Sequence, residues 1–293
     1  MADSRGTALM LEWLRRGWLL SIGAFLCVFI WTEHEAISAQ LGSSEPMLLV
    51  AVVAAILIAK LLCMDLAYGS LMLLGQNCRY IDAAFWYSNA DIGKYLPGGI
   101  WPTLGRLAMY GAHFPPAVAG RALMAETLTL IGIPLIVGIA VTQSPFGAFF
   151  TVALVFCSSL VLMYILVRVD SVAIQSSGML RSQRLTLTLR CVAGQLVCWL
   201  VLFPGSVYLL ICGVDFSRVL AAFDIAFALG QLAIFAPSGI GVREMTFDFL
   251  LGGRDSSVVI SILIFHRTLW LLADIIFFVA VLKIRNSTVT LSK

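Results

Sequence analysis

"NADIGKYLPGGIWPTLGRLAMYG", residues 89–111, interrupts a strongly apolar chain. It holds Pro97 and Pro102, glycines at 93, 98, 99 and 105 before its terminal Gly111, and the cations Lys94 and Arg106. Membrane helices avoid such a composition unless a break is needed. The stretch is either a water-exposed loop between spans or a broken segment inside the membrane, and the fold depends on which.

The rest of the chain narrows the choice. Of 293 residues, 60% are hydrophobic and 12% charged, and the mean hydropathy is +0.98. A soluble domain could not hide that much apolar surface, so the composition describes a polytopic membrane protein. The apolar runs are long and continuous, as in helices, and not the short alternating strands of a barrel. The net charge is only +3, and no basic tract with interleaved aromatics points to nucleic acid. Seven cysteines lie mostly within apolar runs and form no CxxC, and the three histidines are far apart. Buried thiols, with no metal and no cofactor, are the expectation. The first apolar run, 17–31, follows Arg15 and Arg16 and is read as a retained span anchored by Trp13, Trp18 and Trp31, not as a signal peptide.

Six spans are expected, at 17–31, 47–75, 116–141, 147–168, 188–212 and 256–282. Residues 79–96 and 218–236 are ambiguous, because each is helix-like but polar and each runs into a Pro/Gly break. Lys and Arg collect before the first span, in the loop 169–187 and at the C-terminus, whereas the loop 32–46 carries Glu33, Glu35 and Glu45 and no cation. The positive-inside rule then puts both termini in the cytoplasm of an inner-membrane protein. Six spans plus two re-entrant hairpins satisfy this pattern, and so do eight full spans.

An internal repeat favours hairpins. "RYIDAAFWYSNADIGKYLPGGI" from Arg79 matches "RVLAAFDIAFALGQLAIFAPSGI" from Arg218 in its first residue, its early Ala-Ala-Phe and its Pro-x-Gly-Ile end. A further span begins about 20 residues after each break. Each half reads as span, span, broken hairpin, span, and three crossings per half invert the second relative to the first. The fold expected is therefore all-α: a single membrane domain over 1–293, with inverted repeats of about 1–142 and 143–293, as in many secondary transporters.

Breaking a helix inside a membrane frees backbone polar groups that lipid cannot satisfy, so broken segments survive only where they are buried or line a wet cavity. The free N-terminus of a half-helix then offers N–H groups and partial positive charge to an anion. In the first motif Gly98 and Gly99 permit close approach, Pro102 can open the next helix, and Lys94 and Arg106 flank the turn. In the second, "APSGIGVRE", Ser238 can cap a helix, Gly239 and Gly241 make the turn, and Arg243 and Glu244 come next. Charges inside spans add Lys60, Asp65, Glu126, Arg267 and Asp274, each costly in hydrocarbon. Glu126 and Arg267 hold equivalent places in the two halves, 29 and 30 residues after Pro97 and Pro237. Lys60 serves equally well as a helix-locking cation or a ligand. Asp274, seven residues from Arg267 on one helix face, is expected to pair with it. His266 is read as a packed residue, and His113 is given no role.

These motifs resemble the flippase-like family named for the transmembrane domain of lysylphosphatidylglycerol synthases. Its members carry a Pro-Gly-x-(Ile/Val) break followed by Arg, and a Pro-x-Gly-(Ile/Leu)-Gly-x-Arg-Glu signature. Here these fall on Pro97, Gly98, Ile100 and Arg106, and on Pro237, Gly239, Ile240, Gly241, Arg243 and Glu244. Gly99 stands where Lys or Arg is frequent in the family, and these 293 residues show no soluble synthase domain, so aminoacyl transfer to lipid is not expected of them. The resemblance implies movement of lipids with bulky polar headgroups, including lipid-linked sugars and glycolipid precursors. The expected partner is a membrane lipid with an anionic headgroup, such as a polyprenyl-phosphate-linked one, held by Lys94, Arg106, Arg243 and Arg267 with Glu126, Glu244 and Lys60 as charge partners. There is no Walker motif, which leaves proton coupling or passive exchange. Two alternatives stay open: an intramembrane enzyme acting on a lipid phosphate, and a non-transporting scaffold of glycolipid assembly.

Overall fold

The computed structural model describes residues 31–32, 34–95, 100–143, 180–211, 213–233, 239, 241–253 and 256–291. These residues contain helices and no strand. The expected spans 17–31 and 147–168 lie almost wholly outside them, as do Gly98, Gly99 and Ser238.

Four helices are long and apolar enough to cross a membrane: Pro46–Leu73, Pro116–Thr142, Ser182–Tyr208 and Val258–Thr288. They are the four expected spans that fall on described residues. In chain order the helices are α1 (His34–Ser43), α2 (Pro46–Leu73), α3 (Tyr80–Asp91), α4 (Trp101–Gly111), α5 (Pro116–Gln143), α6 (Arg181–Val197), α7 (Phe203–Tyr208), α8 (Phe216–Leu232), α9 (Val242–Leu251) and α10 (Ser256–Leu291). Helix extends past the apolar windows in three places. The acidic segment expected to be a loop is helical as α1, because its Glu, Ala, Gln and Leu residues favour helix whatever their polarity. The cations Arg184 and Arg190, expected in or beside a basic loop, are on helix α6 for the same reason. Helix α10 carries Lys283 and Arg285 near its end. With 36 residues it is about 54 Å long and outruns the roughly 30 Å hydrocarbon core.

Proline perturbs two of the long helices. Pro204 has no N–H and its ring clashes with the carbonyl four residues back. The chain adapts with a π-turn at Cys198–Leu202 that joins α6 to α7. Pro134 sits inside α5, where it frees the carbonyl of Leu130, a residue that lines the central cavity.

Packing relies on small residues, as membrane interfaces require. A Cβ on Gly138 of α5 would lie 3.1 Å from the Ala221 carbonyl oxygen of α8, so these two helices approach backbone to backbone. α2 and α6 run antiparallel. The Gln195 amide donates to the Leu62 carbonyl at 3.1 Å, the Cys198 thiol to the Ala59 carbonyl at 3.5 Å, and the Cys191 thiol to the Asp65 carbonyl at 3.8 Å. The core gathers around α2, with Val52, Ile56, Ala59, Met64 and Ala67 buried against Val192, Trp199 and Phe265.

Candidate functional site

The opening motif folds as an antiparallel helix pair. α3 rises beside α2, with Tyr80 edge-on to Tyr68 at 5.1 Å between centroids. At the other end of α3, Asp91 is 3.0 Å from Lys60. A 3-10 turn, Ile92–Tyr95, carries Lys94, and α4 then returns alongside α3. Gly105 faces Ala90 so closely that a Cβ would come within 3.1 Å, and Trp86 packs on Tyr110 and His113 at 6.1 and 4.6 Å. Pro102 stands in the first turn of α4, as its missing N–H predicts.

The second motif makes a matching pair from α8 and α9. Gly239 and Gly241 have φ of +69° and +84°, a region open to glycine and strained for other residues. A Cβ on Gly239 would lie 2.7–2.9 Å from the Gly230 backbone, so the turn is seated directly on α8. Gly230 serves a second purpose. The Arg243 stem lies across it, and a Cβ there would come 2.6 Å from Arg243 Nε.

The broken ends of both pairs line one cavity of about 150 Å³. Its wall carries five cations: Lys60, Lys94, Arg106, Arg243 and Arg267. Four of them have carboxylate partners. Arg106 pairs with Glu126 at 3.0 Å, and Glu126 also accepts from Tyr110 (2.9 Å) and Ser70 (3.0 Å). Arg267 pairs with Glu244 at 2.8 Å. Lys60 and Lys94 share Asp91 and Asp274 in a quartet of which Lys60 and Asp274 are buried and Asp91 and Lys94 half-buried: Lys94 is 3.0 Å from Asp91 and 2.6 Å from Asp274, and Asp274 also meets Lys60 and the Tyr95 hydroxyl. Asp274 therefore does not pair with Arg267 as expected. Residues seven apart share a helix face, but here each is met by a different neighbour, Lys60 and Lys94 on one side and Glu244 on the other.

Arg243 differs. Its guanidinium sits 4.3 Å over the Phe227 ring. Among the described residues its buried Nε has no hydrogen-bond partner and no carboxylate pairs with it. The half-helix N-terminus expected to receive an anion is also partly occupied, because the Gly241 N–H donates to Glu244 Oε2 at 2.8 Å. Among the expected site residues, then, the structure brings Lys60, Lys94, Arg106, Glu126, Gly239, Gly241, Arg243, Glu244 and Arg267 to or beside the cavity.

Sequence reasoning missed the aromatic wall. Phe203 and Phe227 lie nearly parallel to Trp270 at 4.7 and 6.2 Å, and Trp199 touches both phenylalanines at 4.8 and 4.5 Å. The Trp270 indole N–H is buried and has no acceptor among the described residues. Asp91 also received no role from the sequence, although a lysine in mid-span demands a carboxylate, and that demand was a usable signal. Two buried polar features stay off the main cavity wall. Ser206 and His266 contact at 2.8 Å, with Ser206 also on the Phe203 carbonyl at 2.6 Å. Asp224 is 0% exposed, and neither carboxyl oxygen has a hydrogen-bond partner among the described residues.

No protein-family model matches the chain, and no curated protein matches it. The family resemblance of the two motifs remains an expectation drawn from the residues alone.

Proposed function

We propose that this protein is a lipid transporter, a flippase that moves a phosphate-containing lipid between leaflets through the cationic cavity. Arg243 carries the reading. Among the described cations of the wall it is the one with no carboxylate, and a half-buried guanidinium without a counter-charge invites an anion. A lipid-linked sugar or glycolipid precursor suits a site in which cations stand over aromatic rings. The headgroup crosses through the polar interior while its tails stay in lipid.

The paired motifs are read as re-entrant hairpins of two inverted repeats, with both termini cytoplasmic. Three features support this. α2 and α6, the second spans of the two halves, run antiparallel. Each broken segment is an antiparallel helix pair whose tip reaches the same cavity. The halves also mirror each other in charge: Arg106 from the first pair meets Glu126 of the following span, and Glu244 from the second pair meets Arg267 of the following span. Ion pairs at equivalent places would tie each hairpin to its own following span, so that each half could move as one body about a central anion.

Reconstitution into liposomes with a headgroup-labelled lipid tests the proposal. Leaflet exchange with the lipid chemically unchanged is expected, and Arg243→Ala is expected to abolish it while membrane insertion persists. A chemically altered lipid would make the protein an enzyme. Absence of both exchange and product would favour a scaffold. Normal exchange in Arg243→Ala would remove the site.

A further inference from the structure

If the cavity holds a lipid phosphate, as proposed above, its charge count also constrains the kind of phosphate. The wall cations Lys60, Lys94, Arg106, Arg243 and Arg267 face four carboxylates, Asp91, Asp274, Glu126 and Glu244. The described groups of the site therefore sum to one positive charge, and it resides at Arg243. Charge buried in a medium of low dielectric is tolerated when it is matched, and an excess of either sign is penalised. One negative charge on the ligand neutralises the site, whereas a second finds only cations already committed to carboxylates.

The surroundings of Arg243 point the same way. Arg243 Nε and Trp270 Nε1 are both buried donors without acceptors among the described residues. Phe227 bridges them, lying under the Arg243 guanidinium at 4.3 Å and nearly parallel to the Trp270 ring. Beyond Trp270, Lys60 and Lys94 stand 5.7 and 5.5 Å over the indole face and stay within their carboxylate quartet. Neither nitrogen is accessible from the cavity, so what the wall offers a ligand is the one unmatched charge of Arg243.

We infer that the cavity selects a singly charged phosphodiester headgroup, one phosphate joining the lipid to its polar group, over a phosphomonoester or a diphosphate. Arg243 neutralises the charge.

The test is calorimetric titration of the purified protein in dodecyl maltoside micelles, which contain no phosphate, at pH 8. The probes are dihexanoyl phosphatidylglycerol (a diester with one charge), dihexanoyl phosphatidate (a monoester near two charges at this pH) and dimethyl phosphate (the diester without tails). Phosphatidylglycerol is expected to bind about tenfold tighter than either of the others, a difference of about 1.4 kcal/mol. Arg243→Gln should erase the preference and Arg243→Lys should keep it. Asp91→Asn adds one net positive charge and should turn the preference toward phosphatidate. Phosphatidate binding the native protein as tightly as phosphatidylglycerol, in an Arg243-dependent way, overturns the single-charge inference and leaves the anion site standing. Dimethyl phosphate binding as tightly as the lipid overturns the lipid as ligand. Phosphatidylglycerol binding undiminished in Arg243→Gln overturns both the inference and the proposed site.

Discussion

Replacing Glu126 with Gln tests whether the first hairpin is locked by charge. Glu126 is 1% exposed. One oxygen takes the Arg106 guanidinium at 3.0 Å, and the other takes the Tyr110 and Ser70 hydroxyls at 2.9 and 3.0 Å. Gln keeps the shape and one acceptor oxygen, so Tyr110 and Ser70 can retain their bonds. What it removes is the charge facing Arg106, which is itself 7% exposed. Removing one partner of a buried pair costs about 3–5 kcal/mol, because the other charge is left uncompensated. Coulomb attraction at about 4 Å and an effective dielectric of about 20 gives about 4 kcal/mol, in agreement. Reversible unfolding in mixed detergent–SDS micelles reads the loss directly. A cycle with Arg106→Met isolates the pair, and the double variant should be more stable than the sum of the single losses predicts. A Glu126→Gln loss below about 1 kcal/mol, the size of an exposed ion pair, would refute the lock, as would strict additivity in the cycle.

Other perturbations act through single contacts. Gly239→Ala forces a Cβ into a left-handed residue 2.7–2.9 Å from the Gly230 backbone and should cost more than about 1 kcal/mol in the same unfolding assay; a neutral result would mean the turn is not seated on α8. Asp224→Leu removes a buried carboxyl that has no hydrogen-bond partner among the described residues and should raise stability by about 1–3 kcal/mol, whereas a loss would show that the carboxyl is satisfied. Cysteines placed at positions 100 and 240 should label from opposite sides of the membrane, and access from one side only would end the inverted-repeat reading.

The four described spans were legible because hydrocarbon imposes a simple rule: about 20 apolar residues with few charges form a helix. The broken motifs were legible for a related reason. Pro102, Gly239 and Gly241 each do something to the backbone that no other residue does as cheaply, and that effect needs no neighbour to be foreseen. The limits of the helices were less visible, since α1 and the end of α10 continue through polar sequence that membrane hydropathy does not recognise as helix.

Composition and spacing were enough to specify a helical membrane protein with intramembrane cations near two paired breaks. Which of those cations are committed, and which is available, depends on how the helices pack. Lys60, Lys94, Arg106 and Arg267 each meet a carboxylate delivered by another element, and Asp274 serves the two lysines, not the arginine seven residues away. Arg243 meets an aromatic ring, because Gly230 clears a path for its stem across α8. The physical reason is range. Hydropathy and turn chemistry act within a few residues along the chain, whereas an ion pair depends on distances of about 3 Å between helices far apart in sequence, and no local pattern encodes those distances.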